Sequence, residues 1–244
     1  MIRQAATTIA IFLSLLIYAQ ESFSGIVENW NYGSAKIMGD NKTVVGNIDG
    51  KGAFNIPLKT AFLQELKKQR EKEMPYMPDG LMGIPTLSNL FSCLGTALEV
   101  QNTNQAVGQL SLSNTYALKK TTKDRFSIAT MVASSSQEFA KYRAYRGQIT
   151  AVKGYSVDYY YVAEPAVING KCERNRRYGK DKVQTTKNYK LNFKKGWNLV
   201  LFEIEDVFTD TAGNTHPKII NYKTIDKMPE NLRYNIIVST KKYH

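Results

Sequence analysis

The chain has 244 residues, of which 43% are hydrophobic and 22% are charged, a balance that excludes a disordered chain and suits one large or two small globular domains. Its 33 basic and 21 acidic residues give a net charge of +12, which either favours acidic ligands or only maintains solubility. The 15 tyrosines and 10 phenylalanines favour β-strands, where aromatic residues are enriched.

Residues 1–19 have the pattern of a secretory signal peptide. Arg3 precedes an apolar run from Ile9 to Ala19, about half the roughly twenty residues of a membrane-spanning helix. Cleavage after Ala19 would leave no membrane-spanning segment, whereas an uncleaved anchor is the alternative. We therefore expect an exported protein that is periplasmic, associated with an outer membrane or extracellular. Nucleic acid is not an expected partner of such a protein.

Residues 20–74 are predicted to form an N-terminal β module that ends in a short helix. The Asp-Gly pair at Asp49 lies between two apolar runs, which is a strong hairpin signal. Leu63 and Leu66 are spaced for one helical face, and the rest of that segment is charged, so a helix is expected near residues 60–73.

Residues 75–95 are rich in proline and glycine and are predicted to form a linker or long loop. Residues 96–244 contain many short apolar runs separated by turn residues, which predicts a C-terminal β-sandwich domain. The pattern predicts an all-β fold, an antiparallel β-sandwich or sandwich-like barrel, in which the short helix and the linker join two β modules.

Cys93 and Cys172 are the only cysteines in the chain. In an oxidising compartment they could form a disulfide, which would stabilise the fold by roughly 4 kcal/mol in the chain-entropy model. Two buried free thiols are the alternative. Together with His216 and His244, these cysteines lack the spacing of a metal site, so neither a metal ion nor another cofactor is expected.

The most polar stretch, GKCERNRRYGKDK, is interpreted as a solvent loop between two strands. It supplies the candidate anion-binding residues Lys171, Arg174, Arg176, Arg177, Tyr178, Lys180 and Lys182. Guanidinium groups match the geometry of sulfate, phosphate and carboxylate. The expected partners are an anionic glycan, lipopolysaccharide or another envelope protein, and the alternative is a solvated connector without a ligand.

The sequence contains no catalytic motif that we can assign, and whether the protein is an enzyme stays open. His216 has no accompanying G-x-S-x-G elbow and is interpreted as a loop histidine. The carboxylates of Glu164, Glu203, Glu205 and Asp206 keep one alternative open, a secreted polysaccharide hydrolase that works through a carboxylate pair.

Gly196 and Trp197 are interpreted as a turn residue and a core residue. A three-residue loop that ends at Gly196, with this glycine in the left-handed conformation, would pair Phe193 with Trp197. Trp197 and Leu199 would then share a buried face with Leu191. The strand after Gly196 is apolar on both faces, which predicts a central strand that is covered on both sides.

The runs GIVENW, VVGNIDGKGAFNIPL, YYYVAEPAVINGKC and YKLNFKKGWNLVLFEI resemble exported β-rich envelope proteins and lipoproteins of Gram-negative bacteria that are largely uncharacterised. These hairpin patterns cover about a third of the chain, which lacks the lipoprotein cysteine after its apolar run. The resemblance implies a periplasmic or surface-exposed β-sandwich and assigns no functional residue. We expect a non-catalytic binding or structural protein of the envelope; the alternatives are the hydrolase and a module that docks onto another envelope protein through an exposed edge strand.

Overall fold

The computed structural model describes residues 22–39, 44–73, 83–93, 98–110, 115–120, 126–145 and 149–238. The predicted signal peptide and residues 75–82 and 94–95 of the predicted linker lie outside these residues, and the described part of that linker contains a short helix at Leu87–Leu90. The described part of the chain is mostly β and contains three helices.

The strands are β1 (Ser22–Ile26), β2 (Ala35–Met38), β3 (Val44–Ile48), β4 (Ala53–Pro57), β5 (Glu99–Gln101), β6 (Val107–Leu110), β7 (Thr115–Lys120), β8 (Phe126–Ser134), β9 (Gly154–Val162), β10 (Ala166–Tyr178), β11 (Asp181–Phe193), β12 (Gly196–Thr209), β13 (Thr215–Ile225) and β14 (Arg233–Val238). The helices are α1 (Phe62–Glu73), α2 (Leu87–Leu90) and α3 (Gln137–Ala144).

The strands hydrogen-bond in the order β1-β4-β3-β2-β7-β8-β9-β12-β13-β11-β10-β5, with β14 added on β8 and β6 added on β9. All of these pairings are antiparallel except that of β11 with β13, which is parallel. The prediction of an all-β fold rich in antiparallel pairs is therefore confirmed.

The sheet folds over so that its N-terminal strands pack on its central strands, as in a sandwich. Phe23 of β1 contacts Tyr159 of β9, with ring centroids 4.6 Å apart, and Phe54 of β4 lies 5.1 Å from Phe23. Leu199 and Leu201 of β12 belong to the same buried cluster. Segments on both sides of the predicted linker thus contribute to one core, and the domain boundaries stay a prediction.

Two local predictions in the N-terminal segment are confirmed. Asp49 accepts hydrogen bonds from the amides of Lys51 and Ala53, at 2.8 and 2.9 Å, and closes the β3–β4 hairpin. Helix α1 follows β4 closely and matches the predicted helix near residues 60–73. Its Phe62 packs on Trp197, with ring centroids 4.9 Å apart.

Strand β12 is central and is covered on both sides, as predicted. Leu199 and Leu201 face the core described above, whereas Val200, Phe202 and Ile204 are buried on the other side. Helix α3 packs on that second side, where the Phe139 and Phe202 rings lie 6.1 Å apart. We call this side of the sheet the α3 face and the other side the opposite face.

The predicted pairing of Phe193 with Trp197 is wrong. Strands β11 and β12 are not hydrogen-bonded neighbours, because β13 lies between them. Leu191 therefore lies on the α3 face, whereas Trp197 and Leu199 lie on the opposite face. A tight hairpin was expected because consecutive strands usually pair, but the chain here crosses the end of β13.

The turn itself is close to the prediction. Gly196 has a φ angle of 95°, the left-handed conformation that glycine tolerates best. The side chain of Asn198 stabilises the turn through two hydrogen bonds to Lys194. Its Oδ1 accepts from the Lys194 amide at 2.8 Å, and its Nδ2 donates to the Lys194 carbonyl at 2.7 Å. Trp197 donates its indole N–H to the carbonyl of Lys59 at 3.2 Å and so attaches the segment before α1 to the sheet.

Candidate functional site

The basic stretch is not a loop. Lys171 to Tyr178 continue β10, the strand β11 begins at Asp181, and only Gly179 and Lys180 form the turn between them. The strands pair in register from Ala166 with Phe193 to Tyr178 with Asp181. The loop prediction is wrong. It rested on the low strand propensity of a charged and polar run, but pairing with β11 decides the conformation of this segment.

The hairpin divides the predicted site between the two faces of the sheet. Because side chains alternate along a strand, Arg174, Arg176 and Tyr178 lie on one face, and Lys171 and Arg177 lie on the other. Lys182 pairs with Arg177 and shares its face, while Lys180 lies in the turn. The seven predicted residues therefore do not form one binding surface.

The residues that pair across β10, β11 and β13 show that Arg174 and Arg176 lie on the α3 face. Lys187 of β11 lies beside Ile220 of β13, and Ile220 packs on the cluster under α3. Lys187 lies opposite Cys172, two pairs along from Arg174 and therefore on the same face. Burial, together with the positive charges of Arg174 and Arg176, lowers the pKa of Lys187 below its usual value. Three cations thus lie close together on this face.

Tyrosines surround these cations. Tyr189 and Tyr222 stack with centroids 5.4 Å apart and an interplanar angle of 14°. Burial raises the pKa of Tyr222 to about 12, against the opposing charge of Arg143. Burial also raises the pKa of Tyr142 on α3, where the Tyr178 hydroxyl is a smaller cause in the same direction. We call the group of Tyr142, Arg174, Arg176, Tyr178 and Lys187 the tyrosine–cation surface.

A buried ion pair fixes α3 beside this surface. Arg143 donates to Asp158 of β9 at 2.9 Å, and the Asp158 side chain is only 6% exposed. The guanidinium carbon of Arg143 also lies 4.3 Å from the centroid of the Phe202 ring, within the range of a cation–π interaction. Helix α3 is short, and its N-cap is Ser136, whose hydroxyl accepts from the amide of Phe139 at 3.1 Å.

At the outer end of the surface, Tyr178 is held by the neighbouring β12–β13 turn. Its ring stacks on His216 with centroids 3.8 Å apart and an interplanar angle of 15°. His216 Nε2 lies 2.9 Å from Asp210 Oδ2, and the hydrogen bond to His216, ahead of those to Asn214 and Ala212, lowers the pKa of Asp210 to about 2. His216 is the second residue of β13 rather than a loop histidine, and its partner Asp210 lies in the turn before that strand.

The two faces of the hairpin differ in their acidic partners. On the opposite face Lys171 pairs with Glu173, and Gln184 donates to Glu173 at 3.0 Å. Within the described ranges, by contrast, the side chains of Arg174, Arg176 and Lys187 form no ion pair and no hydrogen bond; Thr185 donates only to the backbone carbonyl of Arg174. The tyrosine–cation surface therefore carries uncompensated positive charge around the half-buried Lys187. On the opposite face Lys171 is compensated, whereas Arg177 and Lys182 are exposed and form no ion pair among the described residues.

A disulfide joins Cys93 to Cys172, with Cα atoms 5.7 Å apart. It attaches the segment after α2 to β10, directly opposite Lys187. From that segment the Phe91 ring contacts Tyr222, with centroids 5.5 Å apart. The disulfide thus connects the region around Lys187 with the residues that cover the stacked tyrosines.

The candidate carboxylates of the hydrolase alternative are engaged in separate structural contacts. Asn221 donates to Glu203 at 3.0 Å and to Glu205 at 2.8 Å, both on the opposite face. Asp206 pairs with Lys153 at 3.0 Å, as well as with a second lysine. The remaining candidate, Glu164, is exposed and pairs with an exposed lysine at 3.4 Å. None of these contacts places a carboxylate on the tyrosine–cation surface.

Sequence reasoning found Arg174, Arg176 and Tyr178 but missed Lys187 and Tyr142. Lys187 alternates with Tyr189 in KNYKLNF, which marks the face that it occupies, but only the strand order shows which cations lie beside it. Tyr142 reaches the surface through the packing of α3, and no local pattern indicates this contact.

No group of His, Cys, Asp and Glu side chains within the described ranges is arranged to hold a metal ion. No helix in the same part of the chain is long and apolar enough to cross a membrane. No protein-family model, no curated protein and no solved structure matches the chain. The site must therefore be interpreted from its own geometry.

Proposed function

We propose that the protein is an exported, non-catalytic binding protein of a bacterial envelope and that its ligand is an acidic glycan. The observation that carries this proposal is the grouping of Arg174, Arg176 and Lys187 on one face without an acidic partner among the described residues. Acidic groups of a ligand would supply the missing counter-charge, and arginine is well suited to bind them.

The aromatic residues favour a glycan over a simple inorganic anion. Tyr178 is fixed by its stacking on His216, and Tyr142 of α3 is fixed by its packing on the buried cluster around Phe202, so neither ring must be ordered when a ligand binds. Tyrosine presents an apolar ring together with a polar hydroxyl, a combination that suits a sugar ring. Export is supported by the N-terminal pattern of Arg3 and the apolar run that follows it.

The two faces of the hairpin offer a matched test. In one variant Arg174 and Arg176 are both changed to Glu; in the control Arg177 and Lys182 are both changed to Glu. Both variants change the net charge by the same amount in the same hairpin. Binding of the mature protein to a glycan array that includes heparin, polygalacturonate and lipopolysaccharide is measured at two salt concentrations.

We expect wild type to bind acidic glycans more weakly at the higher salt concentration, because salt screens exposed charges. The Arg174→Glu, Arg176→Glu variant should lose about a hundredfold in affinity, from two charge-assisted contacts. The control should bind within a few-fold of wild type. Equal losses in the two variants would show that net charge alone is responsible, and no binding by wild type to any acidic glycan would refute the proposal.

A further inference from the structure

Among the hairpin residues of the tyrosine–cation surface, Lys187 lies furthest from the β10–β11 turn. It is half-buried, whereas Arg176 is exposed. Its cross-strand neighbour is Cys172, which is buried and bonded to Cys93, and its neighbour on β13 is Ile220. A side chain in this position lies between the disulfide and the packed base of α3 rather than at the rim of the hairpin.

The charged and titratable groups on the same side of the sheet as Lys187 come from four elements, and of these Arg174 and Arg176 act on Lys187 directly. The groups are Arg174 and Arg176 on β10, Tyr189 on β11, Lys218 and Tyr222 on β13, and Tyr142 and Arg143 on α3. The carboxylates beside these groups already have partners: Asp158 accepts from Arg143, and Asp181 accepts from the Thr211 amide at 2.8 Å. Asp206, which lies 3.4 Å from Lys218, also pairs with Lys153 at 3.0 Å. Nothing among these described groups neutralises Lys187.

A half-buried ammonium without a counter-ion is unfavourable, because burial removes hydration and nearby arginines repel it. The same burial and the same two arginines lower the pKa of Lys187. An acidic group bound at this position would reverse both effects. It would replace the lost hydration with hydrogen bonds, and it would turn a repulsive environment into an attractive one.

We propose that Lys187 is the innermost contact for the acidic group of the ligand and the residue that decides affinity for it. This inference rests on the proposed function and adds the chemistry of the contact. The group is a compact oxyanion, either a carboxylate or a sulfate or phosphate ester, held by Lys187 with Arg174 beside it. The sugar that carries the oxyanion extends toward Tyr178 and the rim of the hairpin.

The test compares Lys187→Met and Lys187→Arg with Lys190→Met in the mature, disulfide-bonded protein. Lys190 lies three residues further along the same strand, on the opposite face, and is exposed. Affinities are measured by titration with a heparin-derived oligosaccharide, with oligogalacturonate and with lipopolysaccharide. These three probes distinguish sulfate ester, carboxylate and phosphate ester as the source of the oxyanion.

We expect Lys187→Met to weaken binding of the preferred probe about tenfold or more, Lys187→Arg to retain most of the affinity and Lys190→Met to bind like wild type. Wild-type affinity should fall as pH rises through the lowered pKa of Lys187, below the usual lysine value of 10.5, because the ammonium loses its charge there. Lys187→Met should lack this part of the decline.

Two different results separate this inference from the proposed function. If Lys187→Met binds like wild type while the Arg174→Glu, Arg176→Glu variant does not, then Lys187 is not the contact and the proposed function stands. If the arginine variant also binds like wild type, both fail. Should Lys187→Met not fold, the pH profile of wild type against that of Lys187→Arg decides the question, since arginine keeps its charge throughout; identical alkaline declines would refute the inference.

Discussion

The two faces of the β10–β11 hairpin carry similar cations in different surroundings. On the opposite face Lys171 has Glu173 as its partner, and the neighbouring strands add Glu203 and Glu205. On the α3 face Lys187 lies among arginines and tyrosines and is partly removed from solvent. The difference shows that the number of cations in a stretch does not define a site. Which of them is partly buried beside other cations depends on the strand order.

The same comparison applies to stability. The α3 face contains a disulfide and a buried ion pair that hold α2 and α3 on the sheet, whereas charges on the opposite face of the hairpin are solvated. Substitutions on the α3 face should therefore cost folding free energy, and matched substitutions on the opposite face should not. The following changes test this difference, from the largest expected effect to the smallest.

Loss of the disulfide should have the largest effect. Changing both Cys93 and Cys172 to Ser should lower the free energy of unfolding by roughly 4 kcal/mol, because the bond closes a loop of 79 residues in the unfolded chain. Urea unfolding of the variant and of wild type measures the change. Reductant should destabilise wild type but leave the double variant unaffected. An equal response of the two proteins to reductant would mean that the bond does not form.

Arg143→Met should lower the free energy of unfolding by about 3 kcal/mol, because it leaves the buried carboxylate of Asp158 without its cation. Arg177→Met, on the opposite face, is the control and should change stability by less than about 0.5 kcal/mol. Chemical denaturation of both variants provides the comparison. Equal stability of the two would contradict the structural role assigned to Arg143.

Gly196→Ala should lower the free energy of unfolding by about 1 kcal/mol or more. A Cβ atom at this position would meet no neighbouring atom within 4 Å, so the cost comes from the φ angle of 95° alone. Gly196 pairs with Val162 and with no residue of the tyrosine–cation surface, so the affinity of the folded protein for its ligand should not change. Lys195→Ala serves as the control, and a Gly196→Ala protein of full stability would refute the assigned turn conformation.

Local patterns were sufficient to predict much of the secondary structure. The β3–β4 hairpin follows from the Asp-Gly pair at Asp49, and α1 follows from the spacing of its apolar residues. The positive φ of Gly196 follows from the length of the turn. These features depend on contacts between residues close in sequence, which is why the sequence indicates them directly.

Pairing between distant strands could not be predicted. The insertion of β13 between β11 and β12 places Trp197 on the face opposite to that of Leu191, and nothing near Trp197 in the sequence indicates this. The same insertion brings Ile220 beside Lys187 and so determines which side of the hairpin lies under α3. Three of the five residues of the candidate site, Arg174, Arg176 and Tyr178, were therefore recognised from the sequence, while the geometry of the site required the fold.

The most direct test of the central claim is a lysine-protection experiment on the mature protein. Acetylation of Lys187, Lys182 and Lys190 is followed by mass spectrometry, with and without saturating heparin-derived oligosaccharide. Lys182 and Lys190 lie on the opposite face of the hairpin. We expect the ligand to slow acetylation of Lys187 several-fold and to leave the other two lysines unchanged. Protection of Lys182 or Lys190 with no protection of Lys187 would contradict the assignment of binding to the α3 face.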